Sequence, residues 1–296
     1  MHKCFVNSIN KELLLESDTN KRKKLIYFCC WSKPSQLNTL TMNSIRTEFI
    51  TEAINNNQVV RFAKFGDGEY ACCLGEQGQN CDGDVYFPEL TLALKEAFLI
   101  LAQTPNTYLG EWREQVPKDF YANLFSTRTG KNPMMIPWVD YHLLLRSSHQ
   151  HDLEDFQRAH EKHMYNFVEA VRNSPRKKIY VCNQQNARLC QLFEAEHVEI
   201  PENCWVLKYK EVFEQIISLC TPDTIVLFSG GLCSKVAIAD LARHAPTVTC
   251  LDVGSSFDCL ARGTQSRAYQ FNYFEEIDYY SSLLPGNWLA TTPLKK

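Results

Sequence analysis

The stretch Thr224 to Asp258, TIVLFSGGLCSKVAIADLARHAPTVTCLDVGSSFD, contains the pattern that decides the fold. An apolar run ends in a pair of glycines, an amphipathic segment follows, and a second apolar run ends at Asp252. Strand, glycine turn, helix and strand in this order predict a right-handed βαβ unit with parallel strands. Ligands of such sheets bind at the carboxyl ends of the strands, where Gly230, Gly231, Asp252 and Gly254 fall.

The same alternation extends over the whole C-terminal half of the chain. The predicted strands are Lys178 to Cys182, Trp205 to Tyr209, Thr224 to Phe228 and Thr247 to Leu251, and the predicted helices lie near Asn186 to Glu196, Lys210 to Leu219 and Leu232 to Arg243. Strands that alternate with helices indicate a parallel sheet covered on both faces. The expected fold class is therefore α/β, a Rossmann-like parallel sheet flanked by helices on both faces.

Upstream, the run VVRFAKF at Val59 to Phe65 predicts a strand that leads directly into Gly66-Asp67-Gly68-Glu69. Carboxylates one residue apart in a glycine-flanked turn suit Mg²⁺ or Mn²⁺, which keep several waters and take further ligands from substrate phosphates. Asp67 and Glu69 are therefore candidate metal ligands. The alternative is an Asp-Gly hairpin that joins VVRFAKF to YACCLG, and spacing alone leaves both interpretations open.

Further elements follow from periodicity and turn residues. The predicted helices are Ser44 to Asn55, Pro88 to Gln103, one that begins near Pro117, and Gln150 to Asn173, and the predicted strands are Leu25 to Trp31, Thr107 to Glu111 and Met134 to Val139. The helix at Gln150 to Asn173 carries His151, His160 and His163, but their spacing differs from that of a zincin, so we interpret them as surface histidines.

The glycine turn at Ser229 to Lys235, SGGLCSK, allows three interpretations. A glycine pair at a helix start could present backbone N–H groups to a phosphate. The loop also resembles the Ser-Gly-Gly-x-Asp-Ser loop of ATP pyrophosphatases, although Cys233 stands in place of the aspartate. The third interpretation is a tight strand-to-helix turn that binds no ligand.

Composition excludes several classes of protein. The 296 residues carry a net charge of −3, which provides no electrostatic case for nucleic acid as the main partner. The thirteen cysteines include no Cys-x-x-Cys pair, so we expect mostly reduced thiols rather than a disulfide scaffold or a zinc site. No apolar run approaches the roughly 18 residues of a membrane span, and the N-terminus lacks the apolar block of a signal peptide. A cytoplasmic enzyme is the expectation.

Two segments resemble one known family. VVRFAKFGDGEYACCLG is similar to the signature of the GT-D type glycosyltransferases, a family first catalogued as a domain of unknown function, whose members carry a basic-Phe-Gly-Asp-Gly-Glu run. The segment 178–258 is similar to the family's strand, glycine turn, helix and strand, followed by Asp-x-Gly-His-x-x-Asp. Asp252, Gly254 and Asp258 match that last motif, while Ser255 stands where the family often has histidine.

The resemblance implies the GT-D glycosyltransferase architecture and a metal-dependent transfer of sugar from a nucleoside diphosphate, with UDP expected, to a hydroxyl of a glycan. It assigns Asp67 and Glu69 to the metal, Mn²⁺ or Mg²⁺, and to the nucleotide sugar. Lys64 stands where the family commonly has arginine and would contact phosphate as a point charge. Asp258 or Asp252 would be the general base. The glycines expected to line the donor site are Gly66, Gly68, Gly230, Gly231 and Gly254.

This reading predicts three segments and one shared site. They are an N-terminal extension at 1–40, a single α/β catalytic domain at 41–262 with the metal turn at 64–69 and the βαβ half at 178–258, and an aromatic tail at 263–296 that packs on the domain. Asp67, Gly230, Asp252 and Asp258 should then lie at one edge of the sheet. The alternatives are an adenylating enzyme of the ATP pyrophosphatase type, a non-catalytic nucleotide-sugar-binding protein and a structural subunit of a glycan-assembly complex. Homo-oligomerisation stays open.

Overall fold

The computed structural model describes residues 48–111, 114–141, 165–263, 280 and 282–284, and all of them belong to one compact unit, Ser44–Lys296. Several predictions concern residues outside this description. They are the strand at Leu25 to Trp31, the extension at 1–40, the three histidines of the predicted helix at Gln150 to Asn173, and most of the tail at 263–296.

Within the described residues, the fold is built on a seven-stranded sheet in which all neighbouring strands are parallel. The strands are β1 (Arg61–Phe65), β2 (Thr107–Glu111), β3 (Trp138–Asp140), β4 (Lys178–Cys182), β5 (Glu196–Glu199), β6 (Ile225–Ser229) and β7 (Thr249–Asp252). Their order is β3-β2-β1-β7-β6-β4-β5. β1 and β7 are far apart in the chain but adjacent in the middle of the sheet, so the residues that follow them lie side by side.

Helices connect these strands. They are α1 (Glu48–Asn55), α2 (Asp67–Leu74), α3 (Pro88–Leu101), α4 (Gln115–Thr129), α5 (which includes residues 165–173), α6 (Leu189–Phe193), α7 (Tyr209–Leu219), α8 (Cys233–His244) and α9 (Asp258–Arg262). Short 3₁₀ helices occur at Pro133–Met135, Gln184–Asn186 and Trp205–Lys208. No helix in the described part of the chain has both the length and the apolar character needed to cross a bilayer.

The side chains of the strands alternate between two hydrophobic cores, one on each face of the sheet. On β1, Ala63 and Phe65 belong to one core and Phe62 to the other, and on β6 Phe228 and Leu227 divide in the same way. Residues of α3 and α8 complete the first core, and residues of α1, α5 and α6 complete the second. Each fully buried Val, Leu, Ile or Phe side chain contributes roughly 1.5–3 kcal/mol. The predicted α/β sheet with helices on both faces is therefore confirmed.

The hairpin interpretation of the Asp-Gly turn is wrong. Asp67 is the first residue of a helix, α2, and the partners of β1 in the sheet, β2 and β7, are both parallel to it. The Glu69 carboxylate accepts a hydrogen bond of 2.8 Å from the Gly66 backbone N–H, which satisfies a donor at the helix start. The local chemistry of this turn therefore begins a helix instead of reversing a strand.

The predicted strand at Trp205 to Tyr209 is also wrong, because Trp205–Lys208 form a 3₁₀ helix and Tyr209 begins α7. Trp205 anchors this apolar segment in the core because it is fully buried, whereas Leu207 is 71% exposed. β4 pairs on one side with β6 and on the other with the edge strand β5, whose sequence EHVE buries only Val198. A mostly polar edge strand has little hydrophobic pattern, and a short apolar run does not by itself distinguish strand from helix.

Two boundaries differ as well. The region predicted as a strand at Met134 to Val139 begins with the 3₁₀ helix Pro133–Met135, and only Trp138–Asp140 joins the sheet. The region predicted as one helix at Asn186 to Glu196 contains the shorter helix α6, which is followed by Glu194 in a left-handed conformation before β5 begins. Both segments are short, and local propensity locates the ends of short elements poorly.

Candidate functional site

The predicted site residues follow strands that end at the same edge of the sheet. Gly66 follows β1, Gly230 follows β6 and Gly254 comes shortly after β7. β7 lies between β1 and β6, and the Lys64 backbone N–H donates a hydrogen bond of 3.2 Å to the Asp252 carboxylate. The expectation that the turn after β1 and the end of β7 share one edge is therefore confirmed. The roles of these residues stay predictions.

A cluster of four buried charged side chains lies at this edge, and we call Lys64, Glu69, Lys235 and Asp252 the lysine–carboxylate cluster. The Lys235 ammonium is 2.7 Å from a Glu69 oxygen and 2.9 Å from an Asp252 oxygen, and it donates a hydrogen bond of 3.0 Å to the Gly231 carbonyl. The Lys64 ammonium is 4.0 Å from the other Asp252 oxygen. Two cations and two anions balance each other, which is how buried charges are tolerated.

The two lysines differ electrostatically. Burial lowers the pKa of Lys64, and the charge of Asp252 offsets only part of this effect. Burial also acts against the charge of Lys235, but the Asp252 and Glu69 carboxylates outweigh it and raise the pKa of Lys235. The positive charge of Lys235 is therefore well compensated by the neighbouring carboxylates, and that of Lys64 is compensated less well.

The backbone beside Lys64 leaves room for its ammonium group. Gly254 has a φ of 51°, in the left-handed region, and a Cβ atom at this position would overlap the Lys64 Nζ atom. The Tyr141 ring lies 5.8 Å from the same Nζ atom, and a Cβ on Gly66 would come within 2.7 Å of the Tyr141 hydroxyl oxygen. Two of the glycines singled out in the sequence are therefore required by close packing.

The predicted metal ligands Asp67 and Glu69 have different surroundings. Both carboxylate oxygens of Glu69 have partners, one the Gly66 N–H and the other Lys235. Asp67 is exposed at the first turn of α2. Partial burial of its carboxyl group and the nearby Glu69 charge raise the pKa of Asp67, against the effect of backbone N–H bonds. Of the two carboxylates, Asp67 is therefore the more accessible to solvent, whereas Glu69 is engaged within the turn.

Asp258 lies at the start of α9, apart from the lysine–carboxylate cluster but near it. It accepts a hydrogen bond of 2.9 Å from the Asn186 side chain and forms an ion pair of 3.4 Å with Arg262. Arg262 in turn donates to the Asn186 side-chain oxygen at 3.0 Å. The Asp258 charge contributes to the pKa of Lys64. The structure thus brings this predicted residue within electrostatic range of the cluster.

The glycine turn after β6 holds a carboxylate of the chain itself. Asp84 is buried, and its oxygens accept hydrogen bonds from the backbone N–H groups of Leu232, at 3.3 Å, and Cys204, at 2.8 Å. Burial raises the pKa of Asp84, partly offset by these bonds. Gly231 has a φ of 57°, and a Cβ there would overlap the Asp84 carboxylate. Asp84 thus already accepts a hydrogen bond from a backbone N–H group that the sequence analysis considered available for a phosphate.

Sequence reasoning missed Lys235, Asp84 and Trp205. Trp205 donates a hydrogen bond of 2.6 Å from its indole N–H to the Gly230 carbonyl and thereby supports the turn. A signal existed for Lys235, because a lysine within the largely apolar face of a predicted helix needs a buried anion. Asp84 had no signal, since its partners at Cys204 and Leu232 are distant in sequence.

Two solved structures are similar to this chain over most of its length. Both contain the domain of unknown function 1792, one in selenomethionine-substituted form, and each matches with a TM-score of 0.52 and 16% sequence identity over 78% of this chain and 88% of the other chain. No protein-family profile and no curated protein matches the chain. One of the two structures is described as showing that this domain has a distinct glycosyltransferase fold. The chain therefore shares the α/β fold of a domain that is described as having a distinct glycosyltransferase fold.

Proposed function

We propose that this protein is a metal-dependent glycosyltransferase that moves a sugar from a nucleoside diphosphate, with UDP expected, to a hydroxyl of a glycan acceptor. The observation that carries the proposal is the lysine–carboxylate cluster at the carboxyl edge of β1 and β7. Nucleotide ligands of open parallel sheets bind at this edge. The similarity to a domain with a glycosyltransferase fold supports the same reading.

In this proposal, the lysines face the departing diphosphate. The acceptor oxygen bonds to the anomeric carbon, the bond from that carbon to the diphosphate breaks, and the nucleoside diphosphate leaves with the electron pair. Lys64 is the better phosphate contact, because its ammonium lies 4.0 Å from Asp252 whereas Lys235 is held by three close partners. A preorganised cation at this position stabilises the charge that develops on the leaving group.

The proposed metal, Mn²⁺ or Mg²⁺, would be held by Asp67 together with donor phosphates and water, and it would neutralise charge on the diphosphate. Asp67 offers an exposed carboxylate at a helix start, directly after the central strand β1. The Glu69 carboxylate accepts a hydrogen bond from the Gly66 N–H and pairs with Lys235. These contacts fix the turn that carries Asp67. Direct ligation by Glu69 would require release of Lys235.

Proton removal from the acceptor hydroxyl is assigned to Asp258 in preference to Asp252. Asp252 is 1% exposed and is engaged by Lys235 and by the Lys64 backbone N–H. The Asp258 side chain is also buried, at 9% exposed, but its partners are side chains, and one of them, Arg262, is 32% exposed. A base must reach the acceptor oxygen within hydrogen-bond distance, and the partner that is closer to solvent leaves Asp258 better placed for this.

The direct test is a screen of the purified full-length chain against a panel of UDP-sugars, with and without Mn²⁺, that measures released UDP. The proposal expects UDP release from at least one donor, stimulated by the metal. Parallel reactions with ATP that measure pyrophosphate test the adenylation alternative. Pyrophosphate release from ATP with no UDP release from any donor would reject glycosyl transfer.

One observation favours a second candidate, a nucleotide-sugar-binding protein without turnover. Glu69 is engaged by the Gly66 N–H and by Lys235, so the turn offers a metal one exposed carboxylate, that of Asp67, where the resemblance implies two. Binding without turnover predicts a rise in melting temperature with UDP and Mn²⁺, because a ligand selective for the native state stabilises it. It also predicts no UDP release in the same donor screen, which separates it from the enzyme.

A further inference from the structure

Two cysteines and a histidine come together away from the lysine–carboxylate cluster. Cys182 is the last residue of β4, Cys190 lies in α6 and His197 lies in β5. Two sulfur atoms and one imidazole nitrogen all lie within 4.8 Å of one another. Tyr180 pairs with His197 in the sheet, and residues two apart on a strand share a face, so His197 and Cys182 point to the same side.

We propose that Cys182, Cys190 and His197 form a zinc-binding site. Thiolate and imidazole are ligands that Zn²⁺ prefers, at about 2.3 Å for sulfur and about 2.0–2.1 Å for nitrogen. Tetrahedral geometry at these bond lengths places two sulfurs about 3.8 Å apart. Side chains whose ligand atoms already lie within 4.8 Å reach this arrangement by small rotations.

The surroundings of His197 suit a metal ligand. Its Nε2 atom lies 3.1 Å from the Cys182 carbonyl oxygen, which can only accept, so Nε2–H is the donor. In the neutral ring the lone pair is then on Nδ1, which is the nitrogen that would bind the metal. Metal-binding histidines usually donate their other N–H to a carbonyl or carboxylate in this way, which fixes the ring.

The two thiol groups and the partial exposure of the site also support zinc binding. The Cys182 and Cys190 sulfur atoms lie within 4.8 Å of each other, and a metal ion would bind both as thiolates in place of their protons. Cys190 and His197 are half-buried, so an ion can enter from their side. Within the part of the chain that the structure describes, no further histidine, cysteine or acidic residue joins this group. A water molecule would therefore complete the shell, as in zinc sites with three protein ligands.

The test uses Co²⁺ as a spectroscopic substitute for Zn²⁺. The full-length protein is reduced, stripped of metal with a chelator and titrated with Co²⁺ under argon. We expect about one equivalent to bind with the visible d–d bands of a tetrahedral ion and near-ultraviolet thiolate charge-transfer bands, and Zn²⁺ to displace it. Cys190→Ser and His197→Asn should each weaken Co²⁺ binding at least about tenfold, as loss of even an outer partner does.

Matched controls keep the result interpretable. Cys220→Ser, Cys81→Ser and His244→Asn change residues of the same types outside the group and should leave the Co²⁺ spectrum and affinity unchanged. Cys182 is buried, so Cys182→Ser could reduce folding. The half-buried Cys190 and His197 variants, checked by circular dichroism, keep the test independent of that variant.

Three outcomes would overturn the proposal. The first is a reduced wild-type protein that gives no thiolate charge-transfer band at stoichiometric Co²⁺. The second is an equal loss of binding in the control variants, which would indicate adventitious thiols. The third is a Cys182–Cys190 disulfide, identified by peptide mass mapping of protein purified without reductant, combined with no metal uptake after reduction.

Discussion

The turn after β1 and the turn after β6 are built from similar parts but place their carboxylates differently. Each follows a buried parallel strand, contains glycine and leads into a helix at the same edge of the sheet. In the first turn Asp67 is exposed. In the second, Asp84 reaches in from another loop and accepts from the Leu232 N–H. Similar local sequence thus produces one turn open to a cation and another already occupied by an internal anion.

Lys235 joins the two turns. Its ammonium contacts Glu69 in the first turn and the Gly231 carbonyl in the second. One buried cation therefore links the two turns, and variants that remove it test how strongly the turns are coupled.

The largest effect is expected for Lys235→Met. This change leaves Glu69 and Asp252 without their shared buried cation, and breaking a buried ion pair costs about 3–5 kcal/mol. Urea unfolding followed by circular dichroism measures the loss. Lys210→Met is the matched control, because the Lys210 side chain is 90% exposed in its pair with Glu214, and it should change stability by less than about 0.5 kcal/mol. A loss below about 1 kcal/mol for Lys235→Met would contradict the bridging role.

An intermediate effect is expected for Gly231→Ala. Positive φ at a residue other than glycine costs roughly 1–3 kcal/mol, and the added Cβ would also overlap the Asp84 carboxylate. Gly75→Ala is the control, since Gly75 has a φ of 77° but no atom within 4 Å of the added Cβ. Thermal or urea unfolding should show the larger loss for Gly231→Ala.

Combining Gly231→Ala with Asp84→Ala sharpens this result. The double variant removes the overlap, so its stability loss should be smaller than the sum of the two single losses. Strict additivity would mean that Asp84 does not limit the space at the turn.

The smallest effect is expected in the pH dependence of Asp84. Burial raises its pKa in the folded state, so between the ordinary aspartate value of about 3.9 and the raised value the native state binds more protons than the unfolded state. Stability from this group therefore increases as pH falls through the raised pKa. Asp84→Asn does not titrate.

Urea unfolding of both proteins at several pH values isolates this contribution, because the other carboxylates are common to both. The wild type should gain stability relative to Asp84→Asn as pH falls from 7 toward the ordinary aspartate pKa of about 3.9. A relative loss over the same range would reverse the assigned sign.

Much of the fold could be predicted from the sequence because its central strands are strongly apolar and end at glycines. The runs that form β1, β4, β6 and β7 are buried on both faces, so their composition alone identifies them. The edge strand β5 could not be found in this way, because only Val198 is buried there. Trp205 was misassigned since one buried aromatic beside apolar neighbours resembles a strand.

The candidate site was predictable only in part. The adjacency of the turn after β1 to Asp252 follows from parallel-sheet topology. The partners of the charged groups do not, because Lys235, Asp84 and the group of Cys182, Cys190 and His197 are assembled from separate elements of the chain. Contacts of this kind depend on how helices pack on the sheet, and no short sequence motif predicts them.

The central claim is that the open turn after β1 holds the metal that assists departure of the diphosphate, and Asp67→Asn tests it most directly. The measurement is the rate of UDP release from the active donor at saturating Mn²⁺, with Glu214→Gln as the control, because the Glu214 side chain is 66% exposed. We expect a loss of about a hundredfold for Asp67→Asn, the upper range for disturbed metal sites, with an unchanged melting temperature and near-normal control activity. Full activity in Asp67→Asn with unchanged Mn²⁺ dependence would contradict the account.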